Sequence, residues 1–287
     1  MLFRSEGLPP LGRSHLEQRY YMVNFDAQAT LAVNEPARII PFRRWESASF
    51  NSVYQVESQA LTASPEELRA LGRPQPPSAE FHDWYTRHGD NELIGALAEE
   101  ASAGAQSYYD VAAGVERYLR NEYYYSLSPG VAPDGDQLSH FLTESRKGYC
   151  SYFAFAMALM LRSLDVPARV AVGFFIERDS RIMNYYPVRA DMAHAWVEVY
   201  FGPYGWVEFD PTSQTLAPGE PFDMDAGVDQ ERLAELVEEI VRNSGDLQAV
   251  PEREPESATL RRFLQSVART TRTWWPAILA GLWIATT

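Results

Sequence analysis

The 287-residue chain is predicted to adopt an α+β fold, in which a helix starting at a cysteine packs on an antiparallel sheet behind a β-rich N-terminal region. Three observations predict it. Residues 16–61 hold runs such as Tyr20-Tyr21-Met22-Val23 and Ser52-Val53-Tyr54-Gln55-Val56, β-branched and aromatic with partial alternation. Residues 151–164 are apolar nearly all round, which marks a buried helix, and they follow directly on Cys150. Two strand-like runs, residues 194–201 and 206–210, are joined by the turn Gly202-Pro203-Tyr204-Gly205.

The elements follow in order. The β-rich N-terminal region ends in a short helix: Ser64-Pro65-Glu66-Glu67 starts it, with a cap, a first-position proline and acids in the first turn, and Gly72 stops it. Arg73-Pro74-Gln75-Pro76-Pro77-Ser78 reads as an exposed loop, so a first unit is expected over residues 1–72 and a linker with a helical lead-in over 73–104. Leu93, Ile94, Leu97 and Ala101 fall on one helical face, and Val111, Val115, Tyr118 and Leu119 on another. Tyr123-Tyr124-Tyr125 leads into a loop at Ser128-Pro129-Gly130, and residues 168–173 read as a buried strand. Residues 105–220 form the expected core. An amphipathic helix over residues 229–244 carries Leu233, Leu236, Val237, Ile240 and Val241, with Gly245 as its stop, and an acidic spacer completes residues 221–260.

Composition removes several function classes. A net charge of −14 argues against a nucleic-acid partner. Cys150 is the only cysteine, so neither an internal disulfide nor a cysteine-cluster metal site is available. The histidines show no HExxH spacing, the glycines form no GxGxxG or GxxxxGK[ST], and Asp223-Met224-Asp225 is too sparse for a calcium loop. No metal and no cofactor are expected.

What remains is a thiol at a helix start, followed by a histidine and an aspartate. Unpaired N–H groups and the positive end of the helix dipole stabilise a thiolate at such a position. An acyl-transfer cysteine needs a base, and the base needs a third group to fix its orientation. With the turn near residues 202–204, an antiparallel hairpin puts His194 opposite a residue between about 210 and 214. His194 and Trp196 share one face of the first strand, and Glu208 and Asp210 one face of the second. Taken singly, the cysteine reads as a small core residue, the histidine as structural and the aspartate before Pro211 as a turn former. Their order, with Gly148 before the thiol and Trp196 two residues after the histidine, favours chemistry.

The stretch Phe141-Leu142-Thr143-Glu144-Ser145-Arg146-Lys147-Gly148-Tyr149-Cys150-Ser151-Tyr152-Phe153-Ala154 resembles the core of bacterial transglutaminase-like proteins. His194-Ala195-Trp196-Val197-Glu198-Val199 and Trp206-Val207-Glu208-Phe209-Asp210-Pro211-Thr212 are similar to that family's histidine and aspartate strands, and the resemblance covers about residues 105–215. It implies a papain-like fold with Cys150 as nucleophile, His194 as base and Asp210 as its orienter. The Cys150 N–H is the natural first oxyanion donor. Tyr125 is the candidate for the second, since the family places an aromatic there; Tyr149 is its rival, and Trp196 is expected to wall the cleft. Two departures concern the cleft lining: Ser151-Tyr152 stands where relatives often carry Glu-His, and Met192 where they often carry Asp.

The expected function is cysteine-dependent acyl transfer on a protein or peptide amide, through a thioester that an amine or water resolves. The alternatives are a cysteine protease or peptidase of the same fold and an inactive binding module of the cell envelope. Residues 1–10 lack a basic start followed by an apolar run, so no signal peptide is expected. Residues 274–285 read WWPAILAGLWIA. Together with residues 261–273 they are expected to begin a transmembrane helix, cut short because a span needs about 20 residues. The resemblance, strongest to membrane-anchored members, implies an extracytoplasmic catalytic domain. Arg261, Arg262, Arg269 and Arg272 before the run argue for the opposite side, but a large translocated domain can override local charge.

Overall fold

The computed structural model describes residues 3–4, 11–23, 26, 29–33, 35–42, 49–176, 180–181, 185–220 and 230–243. Alternating β-branched and aromatic residues give the first sheet. Its strands β1 (Phe3–Arg4), β2 (Arg13–Met22), β3 (Glu35–Pro41) and β4 (Ser52–Leu61) are antiparallel, in the order β1-β3-β4-β2. β2 and β4 pair from Arg13↔Leu61 to Met22↔Ser52, which stacks the rings of Tyr20 and Tyr54 with centroids 5.0 Å apart. Register shifts between Pro36 and Arg38, beside a residue that cannot donate to the ladder.

Helix starts follow the capping rules. At α1 (Pro65–Ala70), Ser64 Oγ accepts the Glu67 N–H and the Glu67 carboxylate accepts the Ser64 N–H at 2.8 Å. Gly72, at φ +62°, follows the helix in the left-handed region where a side chain would be strained. Ser78, Asn91 and Ser107 cap α2 (Ala79–Tyr85), α3 (Glu92–Ala101) and α4 (Tyr108–Glu122). The predicted stripes of α3 and α4 face the core, where Ile94, Val111, Val115 and Leu119 are buried.

Next come β5 (Tyr124–Tyr125), α5 (Gln137–His140) with a π turn at Phe141–Ser145, and β6 (Lys147–Gly148). α6 (Cys150–Ser163), β7 (Ala168–Phe174), β8 (Ala193–Tyr200) and β9 (Trp206–Phe209) complete the central layers. β5 and β6 form a parallel pair, and β7-β8-β9 an antiparallel sheet. Ala195, Val197 and Val199 alternate into one core with Phe153, Ala154, Met157 and Leu161 of α6. The α+β prediction therefore holds, with the helix that begins at the cysteine lying on an antiparallel sheet.

Two local expectations change. α6 is not buried all round, since Phe155 is 54% exposed. β7 is not a buried strand either: it is the edge of its sheet, and Val172 is 78% exposed. Its apolar run resembles a central strand because periodicity alone does not report how many neighbours a strand acquires.

The N-terminal sheet docks on the turn between β8 and β9. The buried Arg13 guanidinium donates to the carbonyl oxygens of Gln59, Tyr204 and Trp206, and Glu35 accepts the Trp206 N–H at 2.9 Å. A cavity of about 140 Å³ remains there, lined by Arg13, Glu35, Leu61, Glu198, Trp206 and Glu208. The predicted amphipathic helix is α7 (Gln230–Asn243), with Val237 and Ile240 buried. The acidic spacer and the apolar run of residues 274–285 lie outside the described residues. Among the described residues, no helix is long and apolar enough to cross a membrane.

Candidate active site

Cys150 is the first residue of α6, and Tyr149 before it is extended, with no side-chain cap on the helix. The uncapped first turn leaves N–H groups beside the thiol, and the Ser151 N–H is among the groups that lower its titration. Gly148 makes this entry possible. A Cβ there would sit 2.8 Å from the Cβ of Tyr152 and 3.2 Å from the Phe141 ring, so the chain passes only without a side chain. The same residue pairs with Tyr125, which brings β5 alongside the thiol.

The hairpin supplies the other two groups. β8 and β9 pair with Val197↔Phe209, so the next step along the ladder sets Asp210 across from Trp196 and diagonal to His194. His194 Nε2–H donates to Asp210 Oδ2 at 2.9 Å. The ring is close enough to Cys150 for each to shift the other's titration, while Nε2 is committed to Asp210. Asp210 Oδ1 accepts the Thr212 N–H at 3.0 Å, so both carboxylate oxygens are engaged. His194 and Asp210 are thus joined by a hydrogen bond, 17% and 36% exposed at the side chain, and Cys150 is near enough to the imidazole to interact with it.

Burial and hydrogen bonding oppose one another at each group. Burial pushes the Cys150 thiol up, but the His194 hydrogen bond, the Ala195 N–H, the His194 charge and the Ser151 N–H together hold it below its ordinary value. Burial pushes His194 down, yet its hydrogen bonds with Asp210 and Cys150 and their charges raise it from 6.5 to about 9. Burial pushes Asp210 up, and its bonds to His194 and Thr212 outweigh that and lower it. The result favours a thiolate–imidazolium pair backed by a carboxylate.

Aromatic side chains frame the imidazole. Trp196 stacks near it with centroids 6.4 Å apart and an interplanar angle of 19°, and the Phe175 ring stands edge-on at 6.2 Å. The indole fits because β7 carries Gly173 beneath it, where a Cβ would lie 2.8 Å from Trp196 Cη2. Burial raises the Tyr125 phenol, and the nearby Cys150 charge raises it further. Tyr149 packs elsewhere: its ring meets Tyr152 edge-on, with centroids 4.8 Å apart.

One neighbour escaped the sequence reading. Glu116 of α4 accepts the Asp210 N–H at 3.1 Å and pairs with Arg120 at 3.5 Å. Burial raises its carboxyl, against the pull of Arg120 and of the Asp210 N–H. Its signal was a charge at the border of an apolar stripe, between the buried Val115 and Leu119. Among the described residues, no group of three or more His, Cys, Asp or Glu is placed to hold a metal ion.

Residues 95–211 match the family model described as the Transglutaminase-like superfamily. Over 177 residues, 58% of this chain and 24% of the relative, the chain is 33% identical to "Uncharacterized protein YebA" of Bacillus subtilis. Over 132 residues, 46% of this chain and 19% of the relative, it is 39% identical to a "Protein-glutamine gamma-glutamyltransferase" of Pseudomonas aeruginosa. The chain therefore spans about a quarter or less of the length of these curated relatives. Among solved structures it is similar to the periplasmic domain of TgpA from Pseudomonas aeruginosa, with 21% identity and a TM-score of 0.44 over 73% of this chain and 71% of that one.

Proposed function

We propose that this chain, whose residues 95–211 form a transglutaminase-like domain, catalyses cysteine-dependent acyl transfer on protein or peptide amides. One observation carries the reading: a helix-start thiol meets an imidazole whose far nitrogen is held at 2.9 Å by a carboxylate. The relative named for glutamine transfer supports the same class of substrate.

In this reading the Cys150 thiolate attacks the carbonyl carbon of a glutamine carboxamide or a peptide bond. The C–S bond forms as the carbonyl π pair moves to oxygen, and the Cys150 N–H and the Tyr125 hydroxyl donate to that oxygen. The His194 imidazolium protonates the leaving nitrogen as the C–N bond breaks, releasing ammonia or an amine and leaving a thioester. Neutral His194 then takes a proton from the incoming nucleophile. An amine gives a new amide and water gives an acid, and thiolate is expelled in both cases. Asp210 holds the tautomer throughout. Trp196 and Phe175 keep water from the ring.

The reading takes residues 105–220 as the catalytic core and residues 261–287 as the start of a membrane anchor, with the domain extracytoplasmic. It is tested by incubating the chain with a fluorescent primary amine and a glutamine-bearing peptide library. Incorporation that Cys150→Ala abolishes is the expected result. Peptide cleavage without incorporation would assign the protease chemistry. No turnover, together with alkylation that follows an ordinary thiol, would assign a binding module.

A further inference from the structure

Asp210 stands just past the end of its strand. The ladder between β8 and β9 stops at Val197↔Phe209, so no strand neighbour fixes the main chain that carries the carboxylate. Two contacts from α4 take the place of the ladder. Glu116 Oε1 accepts the Asp210 N–H at 3.1 Å, and three residues on Ser213 Oγ donates to the Arg120 carbonyl at 3.0 Å. Ser213 is 3% exposed, and its Oγ also accepts the Thr215 N–H at 3.2 Å. Glu116 is only 21% exposed at the side chain, and Arg120, one turn further along α4, holds it in place.

The clamped segment continues to the other side of the cleft. Tyr125 N–H donates to the Thr215 carbonyl at 2.7 Å, and Ala217 N–H donates to the Tyr125 carbonyl at 2.9 Å. Residues 210–217 therefore form one strap. At one end it carries the carboxylate that holds His194. At the other it pairs with the strand that bears the phenol beside Cys150. The α4 contacts set the height of this strap against the hairpin.

We propose that Glu116 is a positioning residue of this site, fixing the Asp210 main chain so that its carboxylate meets Nε2 of His194. The inference rests on the reading of Cys150, His194 and Asp210 as the catalytic group. A carboxylate bound at its backbone from a helix already packed in the core is held far more rigidly than one on a free loop end.

Glu116→Ala and Glu116→Gln, made in the full chain, test it. Alanine removes the acceptor, and loss of register at Asp210 is expected to lower kcat by about tenfold or more, within the range for displacements of about 1 Å. KM should stay near its original value, because the substrate is not touched. The upper limb of the pH profile for Cys150 alkylation, which reports His194, should move to lower pH. Glutamine keeps an oxygen acceptor for the Asp210 N–H and should restore most of kcat and of the profile. An unchanged kcat and profile in Glu116→Ala would overturn the inference. So would equal loss in both variants with a lower melting temperature and an unmoved profile, which is what a purely structural residue gives. Asp210→Asn separates this from the parent reading. If it shifts the profile while Glu116→Ala does not, only the positioning role fails; if neither shifts it, the catalytic reading itself falls.

Discussion

Asp210→Asn is the sharpest perturbation of the site. Burial alone would lower the imidazole, yet His194 stands at about 9 instead of 6.5, and the Asp210 hydrogen bond is the largest contribution raising it. At about 1.4 kcal/mol per pH unit, that rise corresponds to roughly 3 kcal/mol in favour of the imidazolium. Losing a rise of that size costs about 100-fold in any step that needs the ion pair. The hydrogen-bond pattern makes the loss larger. Oδ1 accepts the Thr212 N–H and Oδ2 accepts from His194, so the native group uses two acceptors. Asparagine offers one oxygen. If that oxygen keeps Thr212, its NH2 faces Nε2 and forces the tautomer protonated at Nδ1. A wrong tautomer costs on the order of 10⁴-fold. Turnover should therefore fall by between about 100-fold and about 10⁴-fold, while circular dichroism shows the fold intact. The assays are amine incorporation and, independently of substrate, the rate of Cys150 alkylation by iodoacetamide. A variant with near-normal rates in both would return Asp210 to the role of a turn residue and refute the argument.

Alkylation of wild-type Cys150 should persist at pH values where an ordinary thiol, near 8.5, is unreactive. In His194→Ala the imidazole's hydrogen bond and charge are gone while burial and the Ala195 and Ser151 N–H groups remain, so the alkylation midpoint should rise; an unmoved midpoint would disprove the pairing. The stability that the pairing gives through His194 is complete below about pH 6.5, the ordinary value, and is lost as pH rises through about 9, whereas the part linked to Asp210 is present above its ordinary range and is lost as pH falls through its lowered folded value, so denaturant midpoints should decline at both extremes. The full chain should fractionate with membranes and a chain ending before Arg261 should not; recovery of both in the soluble fraction would remove the anchor.

The fold was legible where local chemistry and periodicity agreed. The Ser64 capping box, the stop at Gly72, the faces of α3 and α4 and the turn at Gly202–Tyr204 all follow from residues within a few positions of each other. So did the approach of His194 to Asp210, because a hairpin converts sequence distance into register. Legibility failed where the answer depended on distant partners. The exposure of β7 depends on its having, among the described residues, a strand neighbour on one side alone. The acceptor for the Asp210 N–H lies 94 residues upstream. Tyr125 was the sequence's candidate donor and Tyr149 its weaker rival; the ring contact of Tyr149 with Tyr152, three residues on, is a packing detail that local sequence does not report.

These long-range contacts explain how a half-buried site holds charge. Each of the three groups is pushed by burial toward its neutral form, and an isolated thiolate or imidazolium at such depth would be unfavourable. The charged arrangement persists because each group favours the next: the Ser151 and Ala195 N–H groups and His194 lower the thiol, Asp210 bonds the imidazole, and Thr212 and Glu116 hold Asp210 through its side chain and its main chain. Such a chain is only as good as its placement, since a hydrogen bond weakens steeply once its angle falls toward about 120°. Placement is therefore assigned to rigid elements: a helix start that only Gly148 can admit, a strand pair in fixed register, and a strap clamped to α4. Phe175, edge-on to the imidazole yet more than half exposed, carries none of this restraint. Reactivity is thus set by the buried network, and the choice of acyl donor and acceptor by surfaces that can vary without disturbing it.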